Sequence, residues 1–416
     1  MNSIKISGGK PLSGEVVVQG SKNAALPMIA AAVLCNGITI LHNCPHIADV
    51  YNMVTIVQTI GGKVVWEQDS LIIDSTHINS YEIPMELADK MRSSILMSGA
   101  LLGRLKHVII PYPGGCVIGE RPIDLHLEAF KQMNIGIYEG ANGITANTLE
   151  IKGNRIVLSI PSVGATENIM LAGVCAVGTT IIENAAREPE VIELGKFLNK
   201  MGGDVRGLGT NRININGVTN LHGTQFEVVS DRIAAGTYIL AAIGTRGKIE
   251  LENAPIGHLK ALLSVVNEIG GKYMYVDEQL IIDGTAASSA VATISTSVYP
   301  GFPTDLQSQL LSVLTVSDGV SIINETIFEA RFKTVEWLRK MGADIILCDN
   351  KAIVTGVDCL YGTQVKAEEL RGGAALIIAG LIAKGTTKIL NVHYIERGYQ
   401  NICKDLAMLG ADISYD

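Results

Sequence analysis

A module of about 70 residues recurs six times along this chain, and a fold built from it must repeat as well. Each copy is marked by a glycine followed by a short β-branched run: Gly37 to Ile40, Gly103 to Ile110, Gly178 to Ile182, Gly244 to Leu251, Gly319 to Ile323 and Gly385 to Leu390. A second signature falls between them: Ile60-Gly61-Gly62, Met201-Gly202-Gly203, Ile269-Gly270-Gly271, Met341-Gly342-Ala343 and Leu409-Gly410-Ala411, with a degenerate copy near Met133. Each copy reads as helix, strand, loop, helix, strand, strand.

The first helices, over 24–34, 91–102, 166–176, 233–242, 306–316 and 373–383, are rich in small residues and nearly apolar all round. A helix without a polar face belongs in the interior. The second helices, such as 188–200 and 334–340, carry one polar face, and strand patterns follow at 63–65, 70–73, 156–160, 279–282 and 352–354. The expected fold is α/β: a two-lobed inside-out α/β barrel, three copies per lobe about a pseudo-threefold axis, with buried helices and outer sheets. That inverts the usual layering. One lobe is expected over 21–229 and the other over 1–20 plus 230–416, with Ser3-Ile4-Lys5-Ile6 supplying the last strand of the sixth copy.

Composition excludes several classes of function. Of the 416 residues, 47% are hydrophobic and 18% charged, which is globular. A net charge of −8 argues against a nucleic-acid binder, so any anion site must be a local pocket of cations. No basic, apolar leader opens the chain, and the longest apolar run, 374–383, is too short to span a bilayer. The seven cysteines form no CxxC pair, so neither a disulfide framework nor a zinc or other metal site is expected. The cysteine usage suits a reducing cytosol, so a cytoplasmic protein is expected; no cofactor is expected, and the working expectation for assembly, which the sequence does not determine, is a monomer or weak oligomer.

The starts of the apolar helices are more informative. They read Ser21-Lys22-Asn23, Lys90-Met91-Arg92-Ser93, Ser162-Val163-Gly164, Ser230-Asp231-Arg232, Thr304-Asp305 and Glu368-Glu369-Leu370-Arg371. Ser, Thr and Asp cap helices, and Ser230 and Thr304 read that way. A helix start also favours anions, so Lys22, Arg92 and Arg371 stand against the dipole and call for a further reason. The loop of the second copy, Pro111 to His126, sets Cys116 among glycines and prolines, with Arg121 five residues on. A nearby cation activates a thiol. The other cysteines lie in or beside apolar segments, where an inert thiol is the rule. His126 suggests a Cys–His pair, although nothing in the sequence turns its ring toward the thiol. Arg187-Glu188-Pro189-Glu190, Phe328-Glu329-Ala330-Arg331 and Tyr394-Ile395-Glu396-Arg397 add charge in the other loops; each reads either as a solvated surface or as part of a site. Taken together, Lys22, Arg121, Arg331, Arg371 and Arg397 suit a ligand carrying phosphate and carboxylate, with Asp305 and Glu369 as candidate bases. No Walker loop and no GxGxxG is present.

These motifs resemble the UDP-N-acetylglucosamine 1-carboxyvinyltransferases along the whole chain. The resemblance rests on Ser21-Lys22-Asn23-Ala24-Ala25, Pro113 to Gly119 with Arg121 to His126, Ser162 to Thr166, Ser230-Asp231-Arg232, Phe302-Pro303-Thr304-Asp305, Glu325 to Glu329 and Glu396-Arg397-Gly398-Tyr399. It implies the same two-lobed fold. It also implies transfer of the enolpyruvyl group of phosphoenolpyruvate to the 3'-hydroxyl of UDP-N-acetylglucosamine, with release of phosphate, as the opening step of bacterial cell-wall precursor synthesis. By matching position, Cys116 is expected to donate a proton to the methylene carbon and to form a covalent adduct, and Asp305 to act as the base. Lys22, Arg121 and Arg397 would meet the phosphate, Arg331 and Arg371 the carboxylate, and Asn23 the bound ligands. Arg121, Pro122, Ile123, Asp124 and Leu125 would hold the uridine end, Ser162, Val163 and Gly164 the diphosphate, Ile327 the nucleotide-sugar, and Arg92 would lie close to it. Two positions depart from the family: Glu369 stands where Asp is common, and Ala330 where Asn is usual. The alternatives are a shikimate 3-phosphate enolpyruvyl transferase, which lacks the Gly-Gly-Cys loop, and a non-catalytic UDP-sugar-binding relative.

Overall fold

The computed structural model describes residues 3–114, 119 and 123–416. Two compact units divide the chain, one over 20–114 and 123–229, the other over 3–19 and 230–416. Each has its own aliphatic core.

Three apolar helices fill each core. In the first unit they are Lys22–Ala32, Leu96–Leu105 and Val163–Gly173. In the second they are Arg232–Gly244, Gln307–Leu314 and Leu370–Ile382. They bury residues on all sides, as expected for helices that have no polar face. Small residues let them approach closely: a side chain at Gly99 would come 2.5 Å from the Asn168 carbonyl. Asn168 then replaces what that contact lacks, accepting from Gly99 N at 2.8 Å and donating to Ile95 O at 2.9 Å. At the opposite end of these helices Arg104 donates to the Val33 and Cys35 carbonyls, where a cation offsets the C-terminal partial charge.

Among the described residues, sheets of similar build cover the helices, three in each unit. The repeating core is a central strand with an antiparallel hairpin on one side, such as Ile38–His42 beside Ser70–Asp74 and Lys63–Glu67. Of the six central strands among the described residues, four are followed by an asparagine in the left-handed region, Asn43, Asn184, Asn253 and Asn391, with φ from 52° to 62°. Asparagine tolerates that conformation better than most residues, so the turn into the loop is the same in each. Ser3–Ser7 pairs with Thr386–Leu390 and Asp412–Tyr415, completing the sixth sheet as the sequence suggests.

Two features differ from the sequence reading. A short parallel edge strand precedes most inner helices, and two of these strands are exchanged along the chain. Ser13–Val17 joins Lys248–Glu252, while Gln225–Glu227 joins Ile38–His42. In addition, two inner helices open with a 3-10 turn, Arg92–Ile95 and Thr304–Leu306, where a regular helix start was expected. The apolar pattern begins only after the polar first turn, so periodicity locates the buried part and misplaces the start.

Candidate active site

In the second unit, the 3-10 turn at Thr304–Leu306 brings Asp305 between two arginines from different copies of the module. Asp305 Oδ1 lies 2.5 Å from Arg331 Nη2, and Oδ2 lies 3.0 Å from Arg371 Nη2. The guanidiniums are buried, with side chains 2% and 5% exposed, whereas the carboxylate between them is 29% exposed. Burial alone would push the Asp305 carboxyl up. Arg371 and Arg331, with Arg232 behind them, outweigh it and hold the group well below the usual carboxylate range. Arg371 is correspondingly held in its charged form, against the cost of its own burial, by Asp305.

A second carboxylate builds the loop that carries Arg331. Glu325, at the end of the strand Val320–Asn324, accepts from the Thr296 and Thr304 hydroxyls at 2.8 Å each. It also accepts the backbone N–H of Ile327 at 2.8 Å and of Phe328 at 3.2 Å. Arg331 then rests against the Phe328 ring and donates to the Thr304 carbonyl. The Thr304 hydroxyl is therefore bound to Glu325, and the cap role read for it is not what it does. Nor does Ser230 cap its helix; Asp231 does, accepting from Ile233 N and Ala234 N. Glu369 caps the last inner helix through the N–H groups of Arg371 and Gly372, and lies 3.7 Å from Arg331 Nη1. A candidate base in the sequence, it spends both oxygens as a cap. Behind Arg371, the Tyr399 hydroxyl meets Thr237 at 2.8 Å. Gln309 ties Thr237 back to the Asp305 carbonyl. Arg397 is half-buried on the adjoining 3-10 turn Val392–Arg397, and Ile327 is exposed.

In the first unit, Lys22 opens the helix Lys22–Ala32 beneath the Ser21 cap and is 9% exposed. The reason for a cation at this helix start is Asp49, whose carboxylate lies 2.7 Å from Lys22 Nζ and is itself buried. Asp49 sits in the first turn of the helix Ala48–Thr59 and escaped the sequence reading, because an acidic residue in a first turn already suits the helix dipole. Asn23 is half-buried beside Lys22, and Arg92 is half-buried in its 3-10 turn.

The same unit brings together two segments far apart in sequence. Ser162 caps the helix Val163–Gly173, and a side chain at Gly164 would come 3.2 Å from the His126 ring. His126 is buried and meets the Asn168 amide at 2.8 Å through Nδ1, so that nitrogen serves helix packing. Ile123 is buried, Leu125 half-buried and Asp124 exposed at the start of the helix Asp124–Gln132. Below Ser162, Glu167 is buried; burial, then Glu190 and Glu188, push its carboxyl well above the usual range.

Cys116, Arg121 and Pro122 lie outside the described residues. Among the other cysteines, Cys35, Cys44 and Cys403 are buried, and burial pushes the thiols of Cys44 and Cys403 up to about 12. Those thiols are unreactive near neutral pH. Cys348 is exposed, contrary to its apolar setting in the sequence. Among the described residues no group of His, Cys, Asp or Glu could hold a metal ion, and no helix is long and apolar enough to cross a membrane.

The profile of the EPSP synthase (3-phosphoshikimate 1-carboxyvinyltransferase) family matches residues 6–406. UDP-N-acetylglucosamine 1-carboxyvinyltransferase 2 of Caldanaerobacter subterraneus subsp. tengcongensis is 47% identical over 99% of this chain and 99% of its own length. The enzyme of the same name from Clostridium tetani is 44% identical over the same shares. Among solved structures, the enolpyruvyl transferase NikO from Streptomyces tendae superposes with a TM-score of 0.88 at 22% identity, covering 100% of this chain and 98% of that one. EPSP synthase from Acinetobacter baumannii gives 0.75 at 17% identity over the whole of both chains. At such identities the structures speak for the fold, which is the two-unit α/β arrangement described above; with a family profile and full-length relatives in agreement, the chain belongs to the EPSP synthase family.

Proposed function

We propose that this protein transfers the enolpyruvyl group of phosphoenolpyruvate to the 3'-hydroxyl of UDP-N-acetylglucosamine, releasing phosphate, in the cytoplasm. The observation that carries the reading is the Asp305 carboxylate held between Arg331 and Arg371, a base and an anion-binding pair in one cluster. Full-length relatives that bear this activity in their names support the choice of acceptor over shikimate 3-phosphate, as does the Gly-Gly-Cys loop.

The chemistry proceeds in two halves. In addition, the acceptor oxygen bonds to C2 of phosphoenolpyruvate while its proton passes to Asp305. The C2–C3 π pair takes a proton from the Cys116 thiol at C3. In elimination, C3 returns a proton to the Cys116 thiolate, the double bond re-forms, and the C2–O bond breaks as phosphate leaves with the proton that Asp305 took. Each positioned acid or base is worth on the order of 10²–10⁴-fold. Lys22, Arg121 and Arg397 meet the phosphate, and Arg331 and Arg371 the carboxylate. Asn23, Arg92, Ile123, Asp124, Leu125, Ser162, Val163, Gly164 and Ile327 take the nucleotide-sugar, with Pro122 beside them; the proximity of Gly164 to the segment ending at His126 supports grouping 123–125 with 162–164. Fixed cations of this kind stabilise charge as phosphate departs.

Phosphate release tests the proposal. Both substrates together should yield phosphate, and either alone none. Turnover of shikimate 3-phosphate in place of the sugar nucleotide would overturn it. Cys116→Ser should lose turnover and escape alkylation by the epoxide fosfomycin, read by intact mass; equal labelling of both proteins would remove Cys116 from its role.

A further inference from the structure

We propose that Asp305 serves as an internal stand-in for the substrate carboxylate, bridging Arg331 and Arg371 until phosphoenolpyruvate displaces it, so that the base is unmasked by the substrate whose reaction needs it. This rests on the reading of Asp305 as the acceptor's base. The geometry carries the step beyond it. A carboxylate with one oxygen on each of two guanidiniums, at 2.5 and 3.0 Å, is the contact an anionic ligand would make with the same pair. The arginines are buried and have other partners besides Asp305, Arg331 the Glu369 carboxylate at 3.7 Å and the Thr304 carbonyl, and Arg371 the Tyr399 hydroxyl. Asp305 is half-buried, the least buried of the three, and stands on a short 3-10 turn. With the turn held by Glu325 and Gln309, the Asp305 side chain is the member of the cluster with most room to rotate away.

In the bridged state the base is masked. Its lone pairs face cations, and the groups around it are Arg331, Arg371 and Arg232, with Glu369 behind Arg331 and Asp231 and Tyr399 behind Arg371. A carboxylate so placed accepts no proton near neutral pH. When a ligand carboxylate takes both guanidiniums, Asp305 loses its partners and gains a like charge nearby. Both changes raise its proton affinity, so it can take the hydroxyl proton as the acceptor oxygen bonds to C2. Before phosphoenolpyruvate binds, the sugar hydroxyl has no competent base.

The test compares wild type with Asp305→Asn, using phospholactate, which keeps the carboxylate and phosphate of the substrate but has no double bond. Isopropyl phosphate, which lacks the carboxylate, is the control. Asp305→Asn should be inactive yet bind phospholactate at least about tenfold more tightly, because the competing charge is gone, with isopropyl phosphate unchanged. Equal or weaker phospholactate binding by the folded variant, or a like gain for isopropyl phosphate, would overturn the stand-in role while leaving Asp305 as base. Full turnover by the variant would overturn the base reading itself. Should the variant not fold, calorimetry of wild type at pH 5 in two buffers decides: phospholactate should bring more proton uptake than isopropyl phosphate, and equal uptake would overturn the proposal.

Discussion

Glu167 shows how one side chain can act against the fold that contains it. It lies on an inner helix with 4% of its surface exposed, and burial, then Glu190 and Glu188, raise its carboxyl well above 4.5. A carboxyl whose folded pKa exceeds its unfolded value holds more protons folded than unfolded, so its contribution to stability falls as pH rises through that window. Glu167→Gln should therefore stabilise the protein. The gain, read from melting at several pH values, should grow above about pH 4.5 by at most ~1.4 kcal/mol per pH unit. Asp305 works in the opposite sense. Its depressed pKa contributes stability that is present above about 3.8 and lost as the medium becomes more acidic. A flat difference between Glu167→Gln and wild type from pH 5 to 8 would show that the acid is solvated.

At the scale of an element, the loop from Glu325 to Arg331 is a short segment whose shape depends on one residue. Two hydroxyls and two backbone N–H groups converge on the Glu325 carboxylate. Removing it strands buried donors and frees the turn that presents Arg331. Glu325→Ala should cost about 2–4 kcal/mol in urea unfolding. It should also lower kcat/KM for phosphate release about 10–100-fold, since displacement of a binding group by ~1 Å is enough for such a loss. Glu325→Gln keeps an acceptor and should fall between wild type and alanine. Unchanged kinetics in a destabilised Glu325→Ala would confine the residue to folding.

At the scale of the molecule, the repeat sets the places where change is tolerated. Gly217 and Gly356 close equivalent turns in the two units, and a Cβ at either would lie 1.6 Å from a carbonyl oxygen, of Ala176 and of Ser317 respectively. Neither backbone can accept a side chain without moving its neighbour. Gly217→Ala and Gly356→Ala should each cost about 2–4 kcal/mol, and because they act on separate cores their costs should add in the double variant. A double variant much less damaged than the sum would mean that the cores share their strain.

The sequence by itself determined the sixfold module, the all-round apolar helices and the positions of the central strands, because glycine turns, β-branched runs and helical periodicity are local signals. It also marked Lys22, Asp305, Arg331 and Arg371 as polar residues in places where helix physics alone would not put them all. Tertiary structure decided which of them meet. Asp49 beneath Lys22 and Glu325 beneath its loop are contacts between separate elements of one copy, and Asp305 is shared between Arg331, 26 residues on, and Arg371 of the next copy, 66 residues on. The exchange of edge strands at 13–17 and 225–227 is likewise invisible locally. A short strand matches any equivalent edge of a repeated sheet, and only the closing of each core selects which one it joins.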